Sequence, residues 1–215
     1  YTIKAGSKTF ETAKGIPGTG YIRQELTAEE IKNGITIRRA DQSSAPSPAW
    51  GAMYWQYYQD MDKVRSSGGS LKVEKQLFVE RIVDNRKIIF PINGQSVNKT
   101  QQIIKKGDKI ITRMIVTTDR NLEFVALKDN RAANLEPINQ LSGCNRKEQV
   151  TYYRTVKDAS TKYFFNYLPK GTYVFEDEYY VNASGEFSGG TASIQCLYAP
   201  EFIGTSAGER VVVFY

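Results

Sequence analysis

The stretch Cys144-Asn145-Arg146-Lys147-Glu148-Gln149 brings a thiol close to a glutamine, the pair from which an internal thioester is built. That chemistry uses the spacing Cys-x-Glu-Gln, in which the sulfur and the glutamine carbonyl close a small ring. Here Gln149 stands five residues from Cys144 instead of three, so the ring has the wrong size and no thioester is expected. The other cysteine, Cys196, lies 52 positions further on, and two cysteines cannot form a zinc site by themselves. They read as two buried thiols or one disulfide, with thiols preferred.

The 215 residues contain no histidine. This removes Ser-His-Asp and Cys-His arrangements, His-ligated metal centres and the commonest general base. An enzyme would have to work with carboxylates, Lys or Tyr alone, so we expect no enzyme, and we assign no catalytic, metal or cofactor-binding residue. The run Glu176-Asp177-Glu178 is acidic. Calcium needs a turn that gathers six to eight oxygens, whereas side chains of this run alternate along a strand, so a solvated strand face is the better reading. Asn98-Lys99-Thr100 and Asn182-Ala183-Ser184 fit the N-glycosylation pattern, which is too short to carry weight alone.

The net charge of +6 is spread along the chain. Only Lys99 to Arg113, with Lys105, Lys106 and Lys109 between, is locally basic, and Asp108 and several isoleucines interrupt it. A solvated strand face explains it better than a phosphate track, and no nucleic-acid partner is expected. No apolar run is long enough to span a membrane as a helix.

The most unusual composition is in SPAWGAMYWQYY, residues 47–58, which holds both tryptophans and three of the fourteen tyrosines. As a strand, it would put Trp50, Ala52, Tyr54, Gln56 and Tyr58 on one face and Gly51, Met53, Trp55 and Tyr57 on the other. Large rings on both faces suit a strand covered on both sides better than an exposed stacking platform. Trp50, Tyr54 and Trp55 are therefore the candidates for inter-domain packing. The rival reading is a surface carbohydrate-binding β-sandwich module, which would need its rings exposed in a row.

The elements that position these residues are nearly all β. Turn signals recur at Lys14–Gly18, Lys32–Gly34, Ser66–Ser70, Ile92–Gly94, Pro169–Gly171 and Ser188–Gly190, and between them the chain is rich in Val, Ile, Thr, Tyr and Phe. Residues 109–118 and 122–127, joined by Asp119-Arg120-Asn121, predict a hairpin, and 171–181 and 191–198 predict further strands. Such spacing points to antiparallel β-sandwich domains of the immunoglobulin-like kind. The flexible Ser66-Ser67-Gly68-Gly69-Ser70 marks a boundary, dividing the chain into residues 1–70 and 71–215.

Four stretches go further: SPAWGAMYWQYYQDMDKV (47–64), KKGDKIITRMIVTTDRNLEFVALKDNRAANLEPI (105–138), YLPKGTYVFEDEYYV (167–181) and TASIQCLYAPEFIGTSAGERVVV (191–213). In this order and spacing they resemble the C-terminal end of bacterial α2-macroglobulin family proteins, though Asp129–Pro137 lacks the Pro-Ala-Gly often found in relatives. The resemblance implies macroglobulin-like sandwiches around a helical thioester domain, in a secreted or periplasmic, often lipid-anchored, cell-envelope chain. Cleavage of a bait segment triggers collapse, and the thioester acylates or traps the attacking protease. Residues 1–70 would then be the C-terminal portion of a CUB-like domain, and 71–215 the terminal macroglobulin-like domain. Neither carries the thioester. The implied role is a scaffold and latch that packs against the thioester domain, with target proteases as indirect partners through the parent chain.

Overall fold

The computed structural model describes residues 2–11, 21–38, 51–54, 56–92, 103–147 and 149–215. They fall into two compact units, Tyr1–Gln56 and Tyr57–Tyr215.

In the first unit, β1 (Thr2–Ala5), β2 (Lys8–Glu11) and β3 (Ile35–Arg38) form an antiparallel sheet in the order β2-β1-β3. A four-residue helix, α1 (Ala28–Ile31), precedes β3. Its start follows from Thr27-Ala28-Glu29-Glu30: the Glu30 carboxylate accepts a hydrogen bond from the Thr27 backbone N–H at 2.9 Å, which satisfies a donor the helix cannot.

The second unit begins with a short 3-10 turn, Met61–Lys63, followed by β4 (Ser67–Gly68), β5 (Leu71–Val83), β6 (Arg86–Pro91), β7 (Ile104–Lys105), β8 (Lys109–Thr118) and β9 (Leu122–Asn130). There follow β10 (Leu135–Pro137), β11 (Gly143–Lys147), β12 (Val150–Lys157), β13 (Ser160–Leu168), β14 (Gly171–Val181), β15 (Gly185–Ser188), β16 (Ala192–Cys196), β17 (Ile203–Thr205) and β18 (Arg210–Phe214). They make a five-stranded sheet β10-β14-β8-β5-β6, a seven-stranded sheet β11-β12-β13-β9-β16-β17-β4 and a small sheet β15-β18-β7. All pairs are antiparallel except β18 with β7. The expected all-β sandwich is what forms.

One expectation changes, and one detail is added. The compact units divide after Gln56, and residues 60–70 are tied into the second. Gly68 and Ser67 pair with Gly204 and Thr205, Gly208 donates to the Val64 carbonyl at 2.9 Å, and Arg210 holds Asp62 at 3.1 Å. The predicted hairpin of residues 109–127 is instead an arch between two sheets. Both edges of β8 are filled, by β5 and β14, so β9 cannot pair with it and joins β13 and β16. The Asp119 N–H donates to the Ser70 carbonyl, which anchors the crossing to the start of β5.

Period-2 alternation turns Leu71, Val73, Lys75, Leu77 and Val79 of β5 inward, and Phe175, Asp177, Tyr179 and Val181 of β14. The outer halves of these rows build two apolar cores. One packs Leu71, Val73, Met114, Val116 and Phe175 against Leu122, Leu127, Tyr163, Phe165 and Ile194 of the seven-stranded sheet. The other packs Leu77, Val79, Ile110 and Tyr179 against Ile104, Val211 and Val213 of the small sheet. Between them lies a buried polar seam. Arg154 grips Asp177 at 2.6 Å and the carbonyls of Asn139 and Leu141 at 3.2 Å, while the Tyr163 hydroxyl donates to the same carboxylate. Lys75 meets Asp129 in the same layer. A charged layer between two apolar cores permits one register of the facing sheets, since a slip would strand the charges among hydrocarbon.

Candidate functional site: an exposed aromatic edge

The β9 strand opens with an irregularity. Its side chains run buried, exposed, exposed, buried from Leu122 to Val125, so the alternation changes phase there. At the change stands Phe124, at φ 52°, a left-handed conformation that a bulky side chain adopts at a cost of about 1–3 kcal/mol. The ladder with β13 keeps its register but omits the Phe124–Asn166 pair: Val125 faces Phe165 and Glu123 faces Tyr167. With this left-handed backbone the Phe124 ring stands exposed.

The strained backbone is held by the turn after β16. The Phe124 carbonyl accepts the Leu197 N–H at 2.9 Å, and the Glu123 carbonyl accepts the Cys196 Sγ–H at 3.1 Å. The turn closes on itself through Phe202 N–H to the Ala199 carbonyl at 3.0 Å, and the Arg120 guanidinium lies 5.1 Å from the centre of the Phe202 ring. On this frame stand three apolar side chains: Phe124, 44% exposed, Leu197, 54%, and Tyr198, 81%. The Phe124 and Tyr198 rings meet edge to face with centroids 5.2 Å apart. Such a pair is pre-ordered, so burying it against a partner loses little side-chain entropy. It carries no general acid, base or nucleophile, and what it offers is apolar contact.

Of the residues selected from sequence, Trp50 and Trp55 lie outside the described residues. Tyr54 is 85% exposed, as are, to lesser or greater degree, Met53, Tyr57 and Tyr58. Residues 51–54 and 56–60 form no strand, so the expected two-faced strand is absent from the described part of this stretch. A strand needs a neighbour to take its backbone hydrogen bonds, and none of the described strands pairs there. Residues Leu197 and Tyr198, by contrast, were inside the predicted strand 191–198. The observed strand stops at Cys196, and the Ala199-Pro200 pair that follows was the local signal that it would.

The acidic run splits as alternation demands: Glu176 and Glu178 face solvent, and Asp177 is buried against Arg154. The locally basic stretch is neutralised on β8, while Lys105 and Lys106 before it are exposed. Lys109 contacts Glu178 at 2.7 Å, and Arg113 contacts Glu176 at 2.6 Å, leaving no row of free cations on that face. The bond to Glu178 raises the Lys109 pKa above its ordinary value, with burial opposing. Both cysteines are free thiols, Cys144 exposed and Cys196 buried. Their strands, β11 and β16, are four steps apart in one sheet, roughly 19 Å, which no disulfide spans. Asn182 is exposed, its backbone N–H bonded to the Asn134 carbonyl at 2.9 Å, whereas Asn98 lies outside the described residues. Among the described residues no group of three or more carboxylates and thiols gathers to hold a metal.

Three comparisons bear on this fold. The family model described as the bacterial alpha-2-macroglobulin MG10 domain matches residues 83–201, more than half of the chain. Among solved structures, methylamine-reacted alpha-2-macroglobulin from Salmonella superposes with a TM-score of 0.54 at 16% identity, over 71% of this chain and 10% of that one. Native Escherichia coli alpha-2-macroglobulin, from domain MG7 to its C-terminus, gives 0.52 at 12% identity, over 70% of this chain and 24% of that one. The trypsin-activated E. coli protein gives 0.52 at 11%, over 71% and 11%. At these identities the likeness is one of fold, and the chain spans a tenth to a quarter of the length of these proteins. No curated protein sequence matches. The family match over residues 83–201 and the macroglobulin-like sandwich agree: this chain belongs to the bacterial alpha-2-macroglobulin family.

Proposed function

We propose that this chain is the non-catalytic scaffold and latch portion of a bacterial alpha-2-macroglobulin-like, broad-spectrum protease inhibitor of the cell envelope. In this reading it packs against the thioester domain of a longer parent chain and shields the reactive bond until bait cleavage displaces it. The observation that carries the reading is the Leu197–Tyr198 pair, exposed yet fixed by the strained Phe124 and its hydrogen bonds.

A latch must hold in one state and release in another. Burying one large apolar side chain is worth about 1.5–3 kcal/mol, so Leu197 and Tyr198 together supply a few kcal/mol. That is enough to bias a two-state equilibrium and small enough for a conformational change elsewhere to overcome. A continuous core of the size found inside this sandwich would not release. Tyr54 is a further exposed contact for the parent's other domains, with Trp50 and Trp55 beside it in sequence.

The test is the double substitution Leu197→Ala, Tyr198→Ala in the parent chain. Its thioester, followed as release of free thiol in the presence of a small amine, is expected to decay faster by tenfold or more, the equivalent of about 1.4 kcal/mol of lost shielding. Decay at the unsubstituted rate contradicts the reading.

A further inference from the structure

The polar seam contains a pair that the latch does not use. Lys75, in the middle of β5, extends inward to Asp129 near the end of β9, on the facing sheet. Both side chains are 0% exposed, and Lys75 Nζ lies 2.7 Å from Asp129 Oδ1. The ammonium nitrogen is aimed by two carbonyls, Asn130 at 2.6 Å and Gly189 at 2.8 Å. Yet neither Asp129 oxygen is in a hydrogen bond, so the close approach to Oδ1 is off the hydrogen-bonding directions. An ionised carboxylate without hydrogen bonds is among the costliest groups a dry core can hold.

A third group completes the set. Glu209 has a buried Oε2 without a hydrogen-bond partner. Its backbone carbonyl accepts the Gly189 N–H at 2.7 Å, and the Gly189 carbonyl in turn holds Lys75. Two chain segments therefore close around one nitrogen, the end of β9 and the turn after β15, and the Glu209 backbone braces the second. The two glycines make this approach possible. A Cβ on Gly190, at φ 74°, would collide with the Asn130 carbonyl, and one on Gly189 would stand 3.0 Å from the Glu209 carbonyl oxygen.

A buried lysine against a buried aspartate, with an unpartnered buried carboxyl within the field of the lysine, is the set of groups that forms an amide. We propose that Lys75 and Asp129 are joined by an intramolecular isopeptide bond between Nζ and Cγ, with Glu209 as the proton carrier. The pair reacts in its neutral form, amine and carboxylic acid. The Nζ lone pair attacks Cγ to give a tetrahedral centre. Glu209 turns toward the pair, takes a proton from Nζ and delivers it to the departing Asp129 oxygen, the C–O bond breaks, and one water leaves. Glu209 ends as it began, and no oxidant, cofactor or other reactant is consumed. Burial pushes the Asp129 carboxyl upward, with Lys75 opposing, and burial likewise raises Glu209. Both directions favour the protonated acid, which is the electrophile an amine attacks. The fold supplies the rest by holding the reactants in contact, as an intramolecular reaction requires. The product is a neutral amide that leaves no charge to bury, and it staples the two facing sheets at their midline.

The experiment is intact mass spectrometry of the purified full chain after denaturation. The expected mass is below that of the sequence by one water, and trypsin is expected to leave a branched peptide joining Lys75 to Asp129, uncut after Lys75. Glu209→Gln, shown to be folded by circular dichroism, is expected to keep the whole sequence mass. Lys75→Arg is expected to do the same. A folded wild-type chain with the full sequence mass overturns the proposal. Loss of water that persists undiminished in Glu209→Gln overturns the role given to Glu209, and loss that persists in Lys75→Arg overturns the bond.

Discussion

Arg154 shows how much depends on single side chains in this sandwich. It is almost wholly buried and makes contact with Asp177, Asn139 and Leu141 at once, which both neutralises the carboxylate and fastens the segment before β11. Arg154→Ala would leave Asp177 buried with the Tyr163 hydroxyl alone, and it should lower the unfolding free energy by about 3–5 kcal/mol in a denaturant titration. Gly190→Ala is a second test, of backbone rather than charge. The left-handed φ and the Asn130 carbonyl both oppose a side chain there, so a loss of about 2 kcal/mol or more is expected from the same measurement. Tyr198→Ala, in contrast, removes an exposed ring and should change the stability of this chain by no more than about 0.5 kcal/mol. At this scale the sequence was partly legible. Alternation in Glu176-Asp177-Glu178 required one carboxylate to face opposite to its neighbours, but that the inward one would meet Arg154, 23 residues earlier, depends on a cross-sheet register that no local pattern encodes.

At the scale of elements, the hairpin of β5 and β6 is the clearest local case. Asp84 and Asn85, at φ 49° and 60°, form a two-residue turn of the kind whose twist matches the flanking strands, and Asn is among the few non-glycine residues that accept it. Asn85→Val places a β-branched residue in the left-handed region and should cost about 1–2 kcal/mol, read as a lower melting temperature. The strands themselves were readable: β14 spans the predicted 171–181, and β16 lies inside 191–198. What was not readable was partnership. Residues 109–127 carry the alternation and turn residues of a hairpin, and the same pattern serves an arch. The choice was made by β5 and β14, which occupy both edges of β8. The site was hidden for a related reason. The Leu197–Tyr198 edge is held by the left-handed backbone at Phe124, and a phenylalanine is the last residue whose sequence would announce such a backbone. The rings of residues 47–58 drew the eye through composition, which records how many rings there are and not where the chain turns.

At the scale of the molecule, the seam between the cores makes stability depend on pH from the alkaline side. The phenols of Tyr163 and Tyr179 are raised, first by burial and then by the charge of Asp177. The unfolded chain therefore loses these protons before the folded one does. Their contribution to stability is whole below about pH 10 and falls above it by about 1.4 kcal/mol per pH unit for each tyrosine. Tyrosinate absorbance should accordingly rise in two stages, exposed phenols first and these two only with unfolding. The same division into apolar cores and a charged midline suits a body that is held rigid while its edge docks and undocks. Hydroxyl-radical footprinting of Tyr198 tests that claim most directly, in this chain alone and in the parent before and after protease cleavage. A latch predicts strong oxidation of Tyr198 in the isolated chain, protection in the uncleaved parent and renewed oxidation after cleavage; equal oxidation in all three would contradict it.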